Sequence, residues 1–153
     1  VLLARDIVVS YGKKGGEVVV LRALNLNVSA GKVIGIEGDS KSGKSTLASV
    51  LVGDLQPKYG EVQKGEFKSI LINGSKRHSN ISPLLMALEQ KNFGLLIIDD
   101  AETSINSENI SLVLNKGRSA NRTTILLSSN LEGYKDCLDT TFRLESGRLV
   151  LKK

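Results

Sequence analysis

Strict alternation marks the first third of the chain. Leu24, Leu26 and Val28 are separated by Asn25 and Asn27, giving a strand with one apolar and one polar face. Leu3, Ile7-Val8-Val9 and Tyr11 read as an earlier strand, ended by the turn Gly12–Gly16, and the β-branched run Glu17 to Leu21 resumes the sheet. Ala30-Gly31-Lys32 then turns the chain into a short apolar strand, Lys32 to Glu37. Later the pattern changes. Leu95-Leu96-Ile97-Ile98 is a continuous apolar run, as expected of a strand buried on both faces, and Thr123-Thr124-Ile125-Leu126-Leu127-Ser128 reads as another buried strand.

Helical spacing falls between the strands. Thr46 to Val52 predicts a helix capped by Gly53, with Pro57 shortly beyond. Gly60-Glu61-Val62 and Lys68 to Ile72 predict two more strands, and the polar stretch Asn73–Asn80 a loop. Ser82-Pro83 opens a second helix, through Gln90, which Phe93-Gly94 is expected to end. Asn106 to Lys116 and Leu131 to Leu138 predict two further helices, and Thr141–Leu144 with Arg148–Leu151 a closing hairpin across Ser146-Gly147. The sum is an α/β protein: a mixed, largely parallel sheet flanked by helices, preceded by an antiparallel β subdomain.

At 153 residues this is the length of one domain, residues 1–153. No apolar run approaches the ~20 residues that span a bilayer, and no secretory signal is evident. One Cys and one His argue against a disulfide framework and against a Cys/His zinc site. The net charge of +5 is dispersed apart from Lys76-Arg77-His78 and Lys152-Lys153, and there is no Trp; no clear nucleic-acid site results. The Val1 start points to a piece of a longer chain.

The segment most informative about chemistry is Gly38-Asp39-Ser40-Lys41-Ser42-Gly43-Lys44-Ser45-Thr46. It fits G-x-x-x-x-G-K-[ST], the Walker A loop, between an apolar strand and a helix. There the unpaired N–H groups of a helix start converge on one point and favour an anion. The glycines permit close approach, with Gly38 and Gly43 free to take φ > 0. Lys44 would neutralise β- and γ-phosphates, and the Ser45 hydroxyl would coordinate Mg2+. Asp99, ending the apolar run from Leu95, fits a Walker B acid at the same edge of the sheet, reaching magnesium through water. Together these imply a P-loop site for a nucleotide and Mg2+.

Three further stretches carry a family resemblance. Val20–Val28 leading to Gly31–Ile36, the segment Leu55–Val62 with its P-x-x-G-x-V pattern, and the tail Phe142–Val150 resemble the nucleotide-binding domain of ABC transporters. The resemblance implies an ATP-hydrolysing domain at the cytoplasmic face of a membrane, partnered by a second nucleotide-binding domain in a homo- or heterodimer and by a transmembrane transporter domain. It implies that Tyr11 stacks on adenine, unless that ring simply packs on the β subdomain. The antiparallel start most resembles the ATPase part of exporters with a fused membrane domain.

Departures from the family pattern concern catalysis. The interval from Lys44 to Asp99 is short, so the helical subdomain, which carries the L-S-G-G-Q signature, is largely missing. Ile72–Lys76 is a weak echo of that signature, or Asn73 takes the Q-loop position, or the stretch is a plain loop. Asp100 stands where the catalytic glutamate is expected, with Glu102 nearby as a substitute base. Asn106 replaces the acid of an S-A-L-D loop, Ser129 the switch histidine, and Lys41 a loop glycine. The expectation is nucleotide binding with slow or partner-dependent hydrolysis. A non-catalytic interaction subunit of an asymmetric pair, or another small P-loop NTPase, are the rival readings.

Overall fold

The computed structural model describes residues 2–12, 16–39, 42–65, 68–73, 93–99 and 122–152. In chain order its elements are β1 (Leu2–Tyr11), β2 (Val18–Val28), β3 (Val33–Glu37), α1 (Lys44–Val52), β4 (Tyr59–Lys64), β5 (Lys68–Asn73), β6 (Phe93–Asp99), β7 (Thr123–Ser128), a 3-10 helix (Glu132–Cys137), β8 (Thr140–Glu145) and β9 (Arg148–Leu151). The helices expected over 82–90 and 106–116, and the shortened subdomain, lie outside the described residues.

Two sheets divide the strands. β2, β1 and β4 form an antiparallel sheet in that order, and β5-β6-β7-β3-β8-β9 a six-stranded one. Within the larger sheet every pairing from β5 to β8 is parallel, and the β8–β9 hairpin adds an antiparallel edge. The expected α/β class, with a mixed sheet and an antiparallel start, is what the structure has.

The alternation in β2 does what it must. Leu21, Leu24, Leu26 and Val28 are buried against Leu2, Ala4, Ile7 and Val9 of β1, while Asn25 and Asn27 stay exposed. Leu47, Ala48, Val50 and Leu51 of α1 join the same core with Ile34, Ile36, Leu95, Ile97, Ile125 and Leu127. α1 therefore shares one apolar core with strands of both sheets through its buried positions. β7 is buried at every position, its polar Thr123, Thr124 and Ser128 included, as a central strand covered on both faces requires.

Four details differ from the sequence reading. Glu17–Leu21 and Leu24–Val28 are one strand, not two; Ala23, at φ 52, absorbs the break. Phe93 and Gly94 open β6 rather than closing a helix. Asn73 is the last residue of β5, not a loop residue. The helix expected over Leu131–Leu138 is a single 3-10 segment.

Candidate functional site

β3, β6 and β7 run parallel, so their carboxyl ends share one edge of the sheet. The loop after β3 and the acid ending β6 are thereby brought together. Gly43 caps α1 at φ 101, a left-handed conformation that a side chain would strain. Gly38 does not take the positive φ expected of it. Its requirement is space: a Cβ there would lie 2.5 Å from Ser42 Oγ and 3.3 Å from the Leu144 carbonyl.

Within this turn Lys44 is buried, 4% exposed, and its Nζ donates to the carbonyls of Gly38 (2.6 Å) and Asp39 (2.8 Å). A buried ammonium needs such acceptors, and the two carbonyls use two of its three donors. Ser42 Oγ donates to the same Asp39 carbonyl at 2.7 Å. Gly38 N–H donates to Ser128 O at 3.1 Å, tying the loop's origin to the end of β7. Ser129, the residue in the switch position, is exposed one step beyond.

Ser45 Oγ donates to Asp99 Oδ2 at 2.7 Å, and the Asp99 side chain is 2% exposed. A hydroxyl and a carboxylate converging at that distance are hard oxygen donors, the type magnesium takes. Among the described residues no group of three or more His, Cys, Asp and Glu clusters as a metal site, so a cation here would complete its shell from ligand oxygens and water. The backbone of Asn73 pairs with that of Asp99, placing it at the end of β5 beside the acid.

Tyr11 ends β1 half-exposed, and its hydroxyl lies 3.2 Å from Thr46 Oγ1 in the first turn of α1. Of the expected site residues the structure thus gathers Tyr11, Gly38, Asp39, Ser42, Gly43, Lys44, Ser45, Thr46 and Asp99. Ser40, Lys41, Asp100 and Glu102 lie outside the described residues.

One contributor is not legible from sequence. A Cβ on Gly43 would lie 2.9 Å from Val20 Cγ1, so β2 of the small sheet rests against the loop glycine. Behind Val20 the β8–β9 turn closes in: Gly147 O accepts from Arg22 N–H at 2.9 Å, and a Cβ on Gly147 would stand 2.5 Å from Val20 O. A valine in an alternating strand carries no signal of such a contact.

The ABC transporter family model matches residues 21–128. The lipoprotein-releasing system ATP-binding protein LolD of Saccharophagus degradans is 40% identical over 77 residues, 50% of this chain and 34% of that protein. The zinc import ATP-binding protein ZnuC of Wigglesworthia glossinidia brevipalpis is 42% identical over 60 residues, 39% of this chain and 24% of that one. These matches span about a third or less of the relatives' length. Among solved structures, the dimeric post-hydrolysis state of the ATP-binding cassette MJ0796, bound to ADP and Pi, matches with a TM-score of 0.79 at 14% identity, covering 100% of this chain and 98% of that one. The structure of cbiO1 from Clostridium perfringens, part of the ABC transporter complex cbiONQ, matches with a TM-score of 0.72 at 14% identity, covering 98% and 86%. At such identity the likeness is one of fold, that of the P-loop NTPases.

Proposed function

This chain belongs to the ABC transporter family, and from that premise we propose that it binds Mg-ATP as the nucleotide-binding domain of an ABC-type transporter or ATPase. The observation carrying the proposal is the 2.7 Å bond between Ser45 and Asp99, which joins the two motifs in one crevice. In this reading the first-turn N–H groups of α1 hold the phosphates, and Lys44 swings from the Gly38 and Asp39 carbonyls to phosphate oxygens. Ser45 and Asp99 would hold magnesium, whose charge offsets that of the triphosphate. Tyr11 flanks the base, in line with its place beside Thr46.

Hydrolysis is slow or depends on a partner. Asp100 serves as the base, with Glu102 as its substitute; an aspartate reaches one methylene less far than the expected glutamate. A second nucleotide-binding domain completes the site, and a membrane-embedded transporter domain couples it to transport at the cytoplasmic face. No helix among the described residues is long and apolar enough to cross a membrane itself.

A second reading is favoured by Ser129: a hydroxyl cannot bridge base and γ-phosphate as an imidazole does, which suits a subunit that binds nucleotide without turning it over.

Titration with ATP and magnesium separates binding from non-binding. Lys44→Ala should weaken affinity about tenfold or more, a lost charge-assisted contact; equal affinity would end the proposal. Turnover by the isolated domain that is abolished by Asp100→Asn would reject the passive subunit.

A further inference from the structure

We propose that Tyr11 and Thr46 form a two-hydroxyl relay that contacts the phosphate chain of the ligand, so that Tyr11 positions phosphate as well as flanking the base. The inference rests on the nucleotide-binding reading above and deepens it. Tyr11 closes β1 of the small sheet, and Thr46 is the third residue of α1; their hydroxyl oxygens are 3.2 Å apart, and either can donate.

A hydroxyl has one proton to give and two lone pairs to receive. An anion at the start of α1 only accepts, so it accepts a hydrogen bond from the Thr46 hydroxyl. The Tyr11 hydroxyl must then donate to Thr46 Oγ1, and the pair acquires one direction: Tyr11 O–H to Thr46 O–H to phosphate oxygen. Each bond in such a chain polarises the next, and the phenolic hydroxyl is the more acidic, better donor of the two. The arrangement fixes the Thr46 rotor toward the ligand instead of leaving it to turn among acceptors. Stacking on a base needs only the ring of Tyr11; the relay needs only its oxygen. The two contributions are therefore separable.

Inorganic tripolyphosphate, which has no base, is the probe. In magnesium buffer the full chain should bind it, and Lys44→Ala should abolish binding; if neither tripolyphosphate nor ATP binds, the nucleotide site itself falls and the relay with it. Given binding, Tyr11→Phe should weaken tripolyphosphate about three- to tenfold, the range of one hydrogen bond, with its unfolding midpoint close to wild type. The same substitution in a Thr46→Val background should add nothing, and Thr46→Ser, which keeps the hydroxyl, should retain most of the affinity. Unchanged tripolyphosphate affinity in Tyr11→Phe, with ATP binding intact, overturns the relay and leaves the nucleotide reading standing.

Discussion

The two sheets meet at the phosphate loop but are built to different tolerances. Along β3, β6 and β7 the parallel register runs without a shift, and Leu95 to Asp99 and Thr123 to Ser128 are buried throughout. The pairing of β1 with β2 slips three times within a single hairpin, and it holds two non-glycine residues in the left-handed region, Asp6 and Ala23, both at φ 52. Asn25 spans that irregularity, accepting from Asp6 N–H and donating to Ala23 O, each at 3.1 Å. The difference has a physical source. A strand buried on both faces cannot move one residue along without exposing apolar surface, whereas a strand with one solvated face absorbs a bulge cheaply. The regular sheet therefore fixes Asp99 and the strand β3 that leads into the loop before Ser45, and the irregular one supplies Tyr11 and Val20 from the side.

Breaking the regular sheet should cost most. Ile97→Ala removes a side chain with no exposure from the middle of β6 and is expected to destabilise by about 2–5 kcal/mol in urea unfolding. A loss below 1 kcal/mol would mean that the parallel core is not the rigid partner.

Next comes the edge where the motifs meet. Ser45→Ala should lower ATP affinity in magnesium about tenfold, the scale of one bond to a charged group, while affinity in chelator changes little. An equal drop in both buffers would place Ser45 on phosphate alone and remove the reason for its pairing with Asp99.

In the irregular sheet the sign reverses. Ala23→Gly is expected to raise stability by roughly 0.5–1 kcal/mol, since glycine takes φ 52 without a Cβ penalty. Loss of stability instead would show that the bulge is unstrained.

The smallest effect belongs to the exposed pair Lys58 Nζ and Glu17 Oε2, 3.0 Å apart. Hydrogen bonding and attraction from Lys58 hold the Glu17 carboxyl below its ordinary range, and the same contacts raise Lys58. A lowered carboxylate stabilises above its unfolded pKa, and that contribution fades as pH falls through the lowered value. The raised lysine acts in the mirror sense, contributing below its unfolded pKa and losing that contribution as pH rises through the folded one. Lys58→Ala should thus leave the unfolding midpoint nearly unchanged at neutral pH and slightly flatten its acid and alkaline limbs; a large neutral shift would contradict the pair's exposure.

How far the sequence revealed this molecule follows the same division. Runs such as Leu95–Ile98 define strand, burial and class together, because only a doubly covered strand is apolar at successive positions. Gly43 and Asp99 are legible for a similar reason, since backbone geometry ties each residue type to a place, whereas Gly38 answers to space and not to the expected φ. Ala23 is not legible, because nothing in the identity of an alanine announces a left-handed φ, so the pattern reads as two strands where there is one. Phe93-Gly94 resembles a cap because glycine follows a helical run, while pairing of Phe93 with Lys68 and of Leu95 with Ser69 on either side of Gly94 carries the segment as β6. The Tyr11–Thr46 contact joins positions far apart in sequence by hydroxyls that carry no pattern.

The contact of Gly147 with β2, and of Val20 with Gly43, has a consequence for how the protein is made. Synthesis delivers the glycine-rich segment well before its backing, so the β8–β9 turn must leave the ribosome before the loop around Gly43 gains that support. Nascent chains stopped short of Gly147 would carry every residue of the motif and still hold it loosely.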